Sequence, residues 1–459
     1  MRGGWLLSVL ALGLAVPAHA AARAAEWRIP VEVKKLPNGL TVVVSEDHTS
    51  PTFGLSMVYG IGFRLEPKGR TGFAHLFEHL MFEGTPAAPK GVMDSVIEGG
   101  GGVLNGSTRY DYTNYISSAP VSALDPLLWI EADRMKTLDF SEKNLVNQRD
   151  VVKEEIRVNV KNRPYGLFFW TDVAGKAFDK WENAHDGYGS FADLDAATLA
   201  DVESFFHTFY VPNNAVLALT GDLLPAEVFA KAEKYFGGVP SRPTPKPPDV
   251  SESLNTAERA LEETDPLAKV PALAVGWKMP ARGSLDHVPA AVLAEILVGG
   301  EASRFYQGLV KGKELLLEVQ GGLNWPLGTP WNFGGPTLTT IFALYKPTTT
   351  ARAVVEAMEG EIQKIVTVGV PAEELARTKT KMRSDFYAGL EPLINRADAL
   401  ALAQLITGSA ASLNEIPGQI QAVTAADVQR AARTYFRAAN RTVVDRRPAA
   451  PPAAQKETR

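Results

Sequence analysis

The sequence contains no cysteine. That absence excludes disulfides, thiolate metal sites, a cysteine nucleophile and a lipid-bearing N-terminal cysteine. Any metal centre must therefore be built from histidine and carboxylates, and the chain has only seven histidines. It has no long block of lysine and arginine, and its formal net charge is −5, so nucleic acid is not an expected partner. Beyond the first residues no apolar run is long enough for a membrane helix, so no membrane span is expected in the mature chain. The four glycines at 99–102 lack the Lys-Ser/Thr pair of a phosphate loop and read as a flexible turn. No serine–histidine–aspartate arrangement stands out.

The chain is 459 residues long, enough for two or three domains at roughly 100–200 residues each. Its start has the form of a secretory signal at 1–20: Arg2, an apolar stretch over 5–16, then Ala18-His19-Ala20. Export is therefore expected, with the bacterial periplasm as the destination. Five prolines within 237–249 deny both helix and central strand. The expected organisation is a domain over 27–236, a proline-rich linker over 237–258, a second domain over 259–445 and a solvated tail over 446–459.

The two halves share a repeat. Thr198, Asp201, Val202, Thr208 and Asn214 recur as Thr424, Asp427, Val428, Thr434 and Asn440, each 226 residues later. In both copies a threonine followed three residues on by aspartate has the form of a capping box. Duplication of one unit follows. Strands are predicted over 40–45, 53–59 and 110–117. Helices are predicted over 71–82, with Thr71 as N-cap and Gly84 as stop, and over 125–138 and 142–161. The fold class is α+β, two homologous domains related by internal duplication.

The sharpest local signal is His75-Leu76-Phe77-Glu78-His79. Residues four apart lie on one helix face, so both imidazoles can reach one ion. Glu78 borders that face, beside the ion and free of any obligation to bind it. This is the inverted-zincin spacing, and zinc suits two imidazoles and one carboxylate with a fourth position left for water. Phe73, Leu76, Phe77, Leu80, Met81 and Phe82 make the helix apolar on more than one side, where unsatisfied polar groups are costly. A later helix over 142–161 offers Glu154 and Glu155 as the third ligand, and periodicity does not separate them. His48, His185, His207 and His287 are isolated and read as surface or satisfied core residues. Residues 168–170 read as core packing.

The chain resembles the M16 (pitrilysin, insulinase and mitochondrial processing peptidase-like) zinc metallopeptidases. The resemblance lies in GRTGFAHLFEHLMFEGT from Gly69, NGSTRYDYTNY from Asn105, QRDVVKEEIR from Gln148 and FYVPNNAVLALTGD from Phe209. It implies zinc held by His75, His79 and Glu155, with Glu78 as general base. It also implies that Asn105 lies near the substrate carbonyl, on a strand to whose edge an extended peptide adds. The chain would form half of a clamshell. Two departures stand out. Many members carry an acid where this chain has Gln148, which is expected to hydrogen-bond beside the ligands. Active single-chain members also carry an Arg/Tyr pair in the second half, where this chain has Val310 and Leu317; Arg304 and Tyr306 belong to a different part of that motif. The pattern resembles the zinc-bearing subunit of a two-subunit enzyme whose partner, a second M16-like subunit, brings the pair. The expected function is zinc-dependent cleavage of peptides or unfolded polypeptides. The alternatives are a non-enzymatic subunit of a peptidase-like assembly and a metal-dependent hydrolase of non-peptide substrates.

Overall fold

The computed structural model describes residues 27–449. The signal segment expected at 1–20 and most of the expected tail lie outside that range.

Valine-rich and alternating segments form two mixed sheets. The first half supplies β1 (Glu32–Lys35), β2 (Thr41–Glu46), β3 (Thr52–Tyr59), β4 (Val103–Thr108), β5 (Thr113–Pro120) and β6 (Ala215–Gly221). The second supplies β7 (Arg259–Asp265), β8 (Ala272–Lys278), β9 (Leu316–Leu323), β10 (Leu338–Tyr345) and β11 (Arg441–Pro448). The strand orders are β1-β2-β6-β3-β5-β4 and β7-β11-β8-β10-β9. With β1 set aside, the two sheets have the same topology. Each has one parallel pair, β2 with β6 and β7 with β11, and antiparallel pairs elsewhere. The duplication legible in sequence is thus a duplication of sheet topology.

The helices that matter here are α1 (Phe73–Leu80), α2 (Glu142–Ile156), α3 (Thr171–Ala177), α4 (Leu199–Phe209), α5 (His287–Val298), α6 (Ala372–Gly389), α7 (Leu393–Thr407) and α8 (Ala425–Tyr435). The repeat threonines behave alike. Thr198 accepts from the Asp201 amide at the start of α4, and Thr424 from the Asp427 amide at the start of α8. Both boxes are closed by the aspartate reaching back. The helix predicted over 142–161 is α-helical to Ile156 and continues as a π turn over Arg157–Lys161.

Every residue of the central strands β6 and β8 is buried, so both faces of each sheet are covered. Part of that cover is exchanged between halves. From the second half, α7 lies across β3 and β6. A Cβ on Gly54 of β3 would stand 2.5 Å from the backbone of Leu393 and Ile394, so only glycine permits that approach. Thr220 donates to the Leu393 carbonyl, and Ser56 and Asn114 donate to Asp398. In return α3 of the first half packs on β8 and β11, with Val173 against Gly276. The linker separates two sheets but not two independently closed units. Its far end is docked: the Glu252 carboxylate accepts from Lys278 and Asn183.

Two boundary expectations are corrected. Arg446, Arg447 and Pro448 belong not to a tail but to β11, in parallel register with Glu263, Thr264 and Asp265. Their charges are paired on the sheet, Arg446 with Asp172 and Glu263, Arg447 with Asp445 and Glu262. Thr71 does not cap α1. The N-cap is Gly72, at φ 84°, and the cap is supplied from a distance by Glu66. Its buried carboxylate accepts from the amides of Gly72 at 3.0 Å and Ala74 at 2.8 Å. Thr71 bonds instead to Asp193.

Candidate metal centre

Apolar residues at helical spacing and the Glu66 cap set α1 against the edge of the first sheet. Phe73, Ala74, Leu76, Phe77 and Leu80 are buried, which aims His75 and His79 at α2. The two Nε2 atoms stand 3.3 Å apart. Glu155 Oε2 lies 3.5 Å from His75 Nε2 and 3.3 Å from His79 Nε2. A tetrahedral ion with ligand bonds of about 2.0–2.1 Å holds its donors about 3.3–3.4 Å apart, so this triangle has the size that zinc demands. Among the described residues no other set of histidine and carboxylate ligand atoms converges this closely. Glu154 points away: its side chain is 61% exposed and pairs with Arg157 at 3.0 Å. Of the two glutamates that periodicity did not separate, Glu155 faces the imidazoles, the one the family resemblance implies.

The electrostatics favour electron pairs facing the gap. Burial pulls the His75 imidazole down to about 4. Burial pushes the Glu155 carboxyl up, but its contacts with His79 and His75 outweigh that and hold it below its ordinary value. At neutral pH a neutral imidazole and an ionised carboxylate face each other, the states a cation requires. His75 Nδ1 is buried without a protein partner, and the Tyr188 ring meets the imidazole edge-on at 5.2 Å.

Glu78 lies on the same helix turn, facing β4. Its Oε2 accepts from Thr108 Oγ1 at 2.6 Å. Burial raises this carboxyl and the Thr108 bond opposes the rise. A Cβ on Gly106 would stand 3.0 Å from Glu78 Cγ and 3.3 Å from Oε1, so the strand passes close because that residue is glycine. β4 is the outermost strand, with an unpaired edge. A cavity of about 360 Å³ opens beside these groups, lined by His75, Glu78, Glu155, Arg109 and Tyr188, with Pro326 and Leu327 contributed by the second half. A larger cavity of about 490 Å³ lies in the second half and contains none of the convergent donors.

Two expected site residues sit apart from the centre. Gln148 is buried, but its Nε2 donates to Glu83 Oε1 at 2.6 Å and not to a ligand. Seven helical residues span about 10 Å, which carries Gln148 past the centre to the turn after α1. Asn105 is exposed on β4, with its Oδ1 accepting from the Gly106 amide, and it does not line the cavity. In the second half Leu317 is exposed on β9 and Val310 is half-buried. Arg304 is held by Glu374, and Tyr306 donates to Glu301.

Other contributors were not singled out from sequence. Thr108 carried a usable signal, because strand period two puts it on the same face as Gly106. Glu66, His185 and Tyr188 carried none. His185 is a satisfied core histidine, as expected: its Nε2 lies 3.0 Å from Glu66, and its ring stacks on Trp181 at 4.0 Å. It completes the support of the α1 N-terminus. The run at 168–170 is core as expected, with Phe168 and Trp170 buried.

Comparison with known proteins points the same way. Residues 41–167 match the family model described as insulinase (peptidase family M16), and residues 196–382 match that of the peptidase M16 inactive domain. A Helicobacter pylori protein named zinc protease PqqE is 26% identical over 417 residues, 90% of this chain and 92% of its own length. A Bacillus subtilis protein named an uncharacterized zinc protease, YmxG, is 24% identical over 410 residues, 87% of this chain and 94% of its own. Among solved structures, a protease from Helicobacter pylori superposes with a TM-score of 0.84 at 26% identity, covering 92% of this chain and all of its own. A Pseudomonas fluorescens peptidase M16 inactive domain shares the fold, with a TM-score of 0.81 at 18% identity over 92% of this chain and 98% of its own.

Proposed function

The chain belongs to the M16 peptidase family, and from that premise we propose that it is a zinc-dependent endopeptidase acting on peptides or unfolded polypeptides. The observation that carries this reading is the triangle of 3.3–3.5 Å between His75, His79 and Glu155, with the Glu78 carboxylate beside it. Zinc bound there would supply Lewis acidity, acidifying a water and polarising the scissile carbonyl.

The chain's own residues then have distinct tasks. His75, His79 and Glu155 hold the ion. Glu78 takes the proton of the attacking water and passes it to the leaving amine. Thr108 fixes one carboxylate oxygen of Glu78 and leaves Oε1 for that exchange. The open edge of β4 receives the substrate as an added strand through main-chain hydrogen bonds, a mode that tolerates varied side chains. The chain is exported through its N-terminal segment and works in the bacterial periplasm. It pairs with a second M16-like subunit, whose Arg/Tyr pair supplies what Val310 and Leu317 cannot. The match of the second half to the inactive-domain model supports this division of labour.

The deciding experiment is Glu78→Gln. The variant should keep its zinc and lose about 10²–10⁴-fold in kcat/KM on a peptide library, assayed with any copurifying partner. Undiminished turnover would remove Glu78 from the mechanism. Wild-type protein that is zinc-loaded, partnered and inert on every peptide would favour a non-enzymatic subunit.

A further inference from the structure

One guanidinium stands on the wall of the cavity beside the metal centre, that of Arg109, directly after β4. Its half-buried side chain gives one hydrogen bond, from Nη1 to the Thr108 carbonyl at 2.9 Å. A guanidinium carries five donors, and among the described residues the remainder make no ion pair, although the Arg109 charge is felt by the Glu78 and Asp398 carboxylates. Each carboxylate in the neighbourhood is committed elsewhere. Asp111 is taken by Arg64 and by the amides of Gly334 and Gly335. Asp398 accepts from Ser56 and Asn114. Glu78 is held by Thr108, and Glu155 faces the two imidazoles. The remaining wall includes the apolar side chains of Phe63, Leu167, Trp170 and Leu327, which strengthen any ion pair formed against them.

We propose that Arg109 is a specificity-determining residue that receives a carboxylate of the bound peptide, within about two residues of the scissile bond. This rests on the reading that a peptide adds to β4 and reacts beside Glu78. Gly106 is the strand residue next to Glu78, and Arg109 lies three residues on, about 10 Å at strand rise. The long arginine side chain covers part of that distance. A planar guanidinium suits a carboxylate in two-point contact. The carboxylate has two sources of the same chemistry: a glutamate or aspartate side chain, or the C-terminus of the substrate.

The test separates these sources and does not depend on turnover. Zinc-loaded full-length Glu78→Gln protein is titrated, by fluorescence anisotropy, with labelled decapeptides carrying Glu, Gln or Lys at successive positions, each as free acid and as amide. At one position the Glu peptide should bind about tenfold more tightly than the Gln peptide, and the Lys peptide more weakly than either. A contrast between acid and amide in place of that pattern would assign the C-terminus. Adding Arg109→Gln should bring the ratio to about one, and Arg109→Lys should keep part of it. Equal affinities across the panel, or a preference that survives Arg109→Gln, overturn the proposal. Peptides that bind with this discrimination yet are never cut when Glu78 is intact would defeat the hydrolytic reading and leave this one standing. Peptides that are cut without discrimination would do the reverse.

Discussion

The helix pairs α1–α2 and α5–α6 occupy matching places on two sheets of the same topology, and they are joined by opposite chemistry. In the first half His79 and Glu155 turn lone pairs toward a shared gap. In the second half Glu295 on α5 meets Lys381 on α6, with Oε1 and Nζ 2.7 Å apart. Lys381 stands 226 residues after Glu155, the spacing of the repeat. The second half thus carries its own cation where the first half presents only cation-ligating groups. The neighbouring tie differs in the same sense. Gln148 joins Glu83 in the first half, whereas Glu374, again 226 residues on, takes a two-point ion pair from Arg304. One fold can therefore keep a ligand triangle in one copy and close the matching place with a salt bridge in the other, with a helix pair retained in both.

The largest effects should fall on the first half alone. Glu155→Ala should weaken zinc binding by more than about a hundredfold, read as metal content after dialysis against a competing chelator. Glu154→Ala and Lys381→Met should both leave zinc in place. If Glu154→Ala empties the centre and Glu155→Ala does not, the register of α2 has been misassigned. Lys381→Met should change stability by no more than about 1 kcal/mol in urea denaturation, because that pair is partly exposed.

A subtler effect concerns pH. Burial raises the Glu78 carboxyl above its ordinary value, so its proton-accepting form is lost at a higher pH on acidification than for an exposed glutamate. The acid limb of kcat/KM should sit correspondingly high. Thr108→Val removes a bond that favours the ionised form, and should move that limb further up. A limb unmoved by Thr108→Val would mean that another group sets it.

The smallest effects should be equal in the two halves. Thr198→Ala and Thr424→Ala each delete one capping box and should each cost about 1 kcal/mol. A difference much larger than that between them would show that the two copies carry unequal shares of stability.

Much of this was legible before the structure, in the places where a single helix or turn sets the geometry. His75, Glu78 and His79 share a face because α-helical spacing puts them there, and the repeat threonines cap because a box closes within three residues. The strand at 110–117 was misplaced by about three residues, because Arg109 to Tyr112 form the turn in which Arg64 binds Asp111. Pairing of that kind, distant in sequence, leaves no local trace. The same holds for Glu66, which caps α1 from outside the helix, and for Arg446 and Arg447, whose composition suggested solvent.

By itself the sequence determined the metal-seeking pair of imidazoles and the adjacent carboxylate, which rest on spacing within one segment, and the duplication, which rests on two segments that match without a gap. Only the tertiary structure turned Glu155 and not Glu154 toward the imidazoles, where periodicity had left both open, moved Gln148 out of the centre, exchanged α3 and α7 between the halves and left Arg109 without an ion pair among the described residues. The physical reason is rotation and approach. Neighbours on a helix point about 100° apart, and which of them faces α1 depends on how α2 settles against it, a matter of packing between segments far apart in the chain.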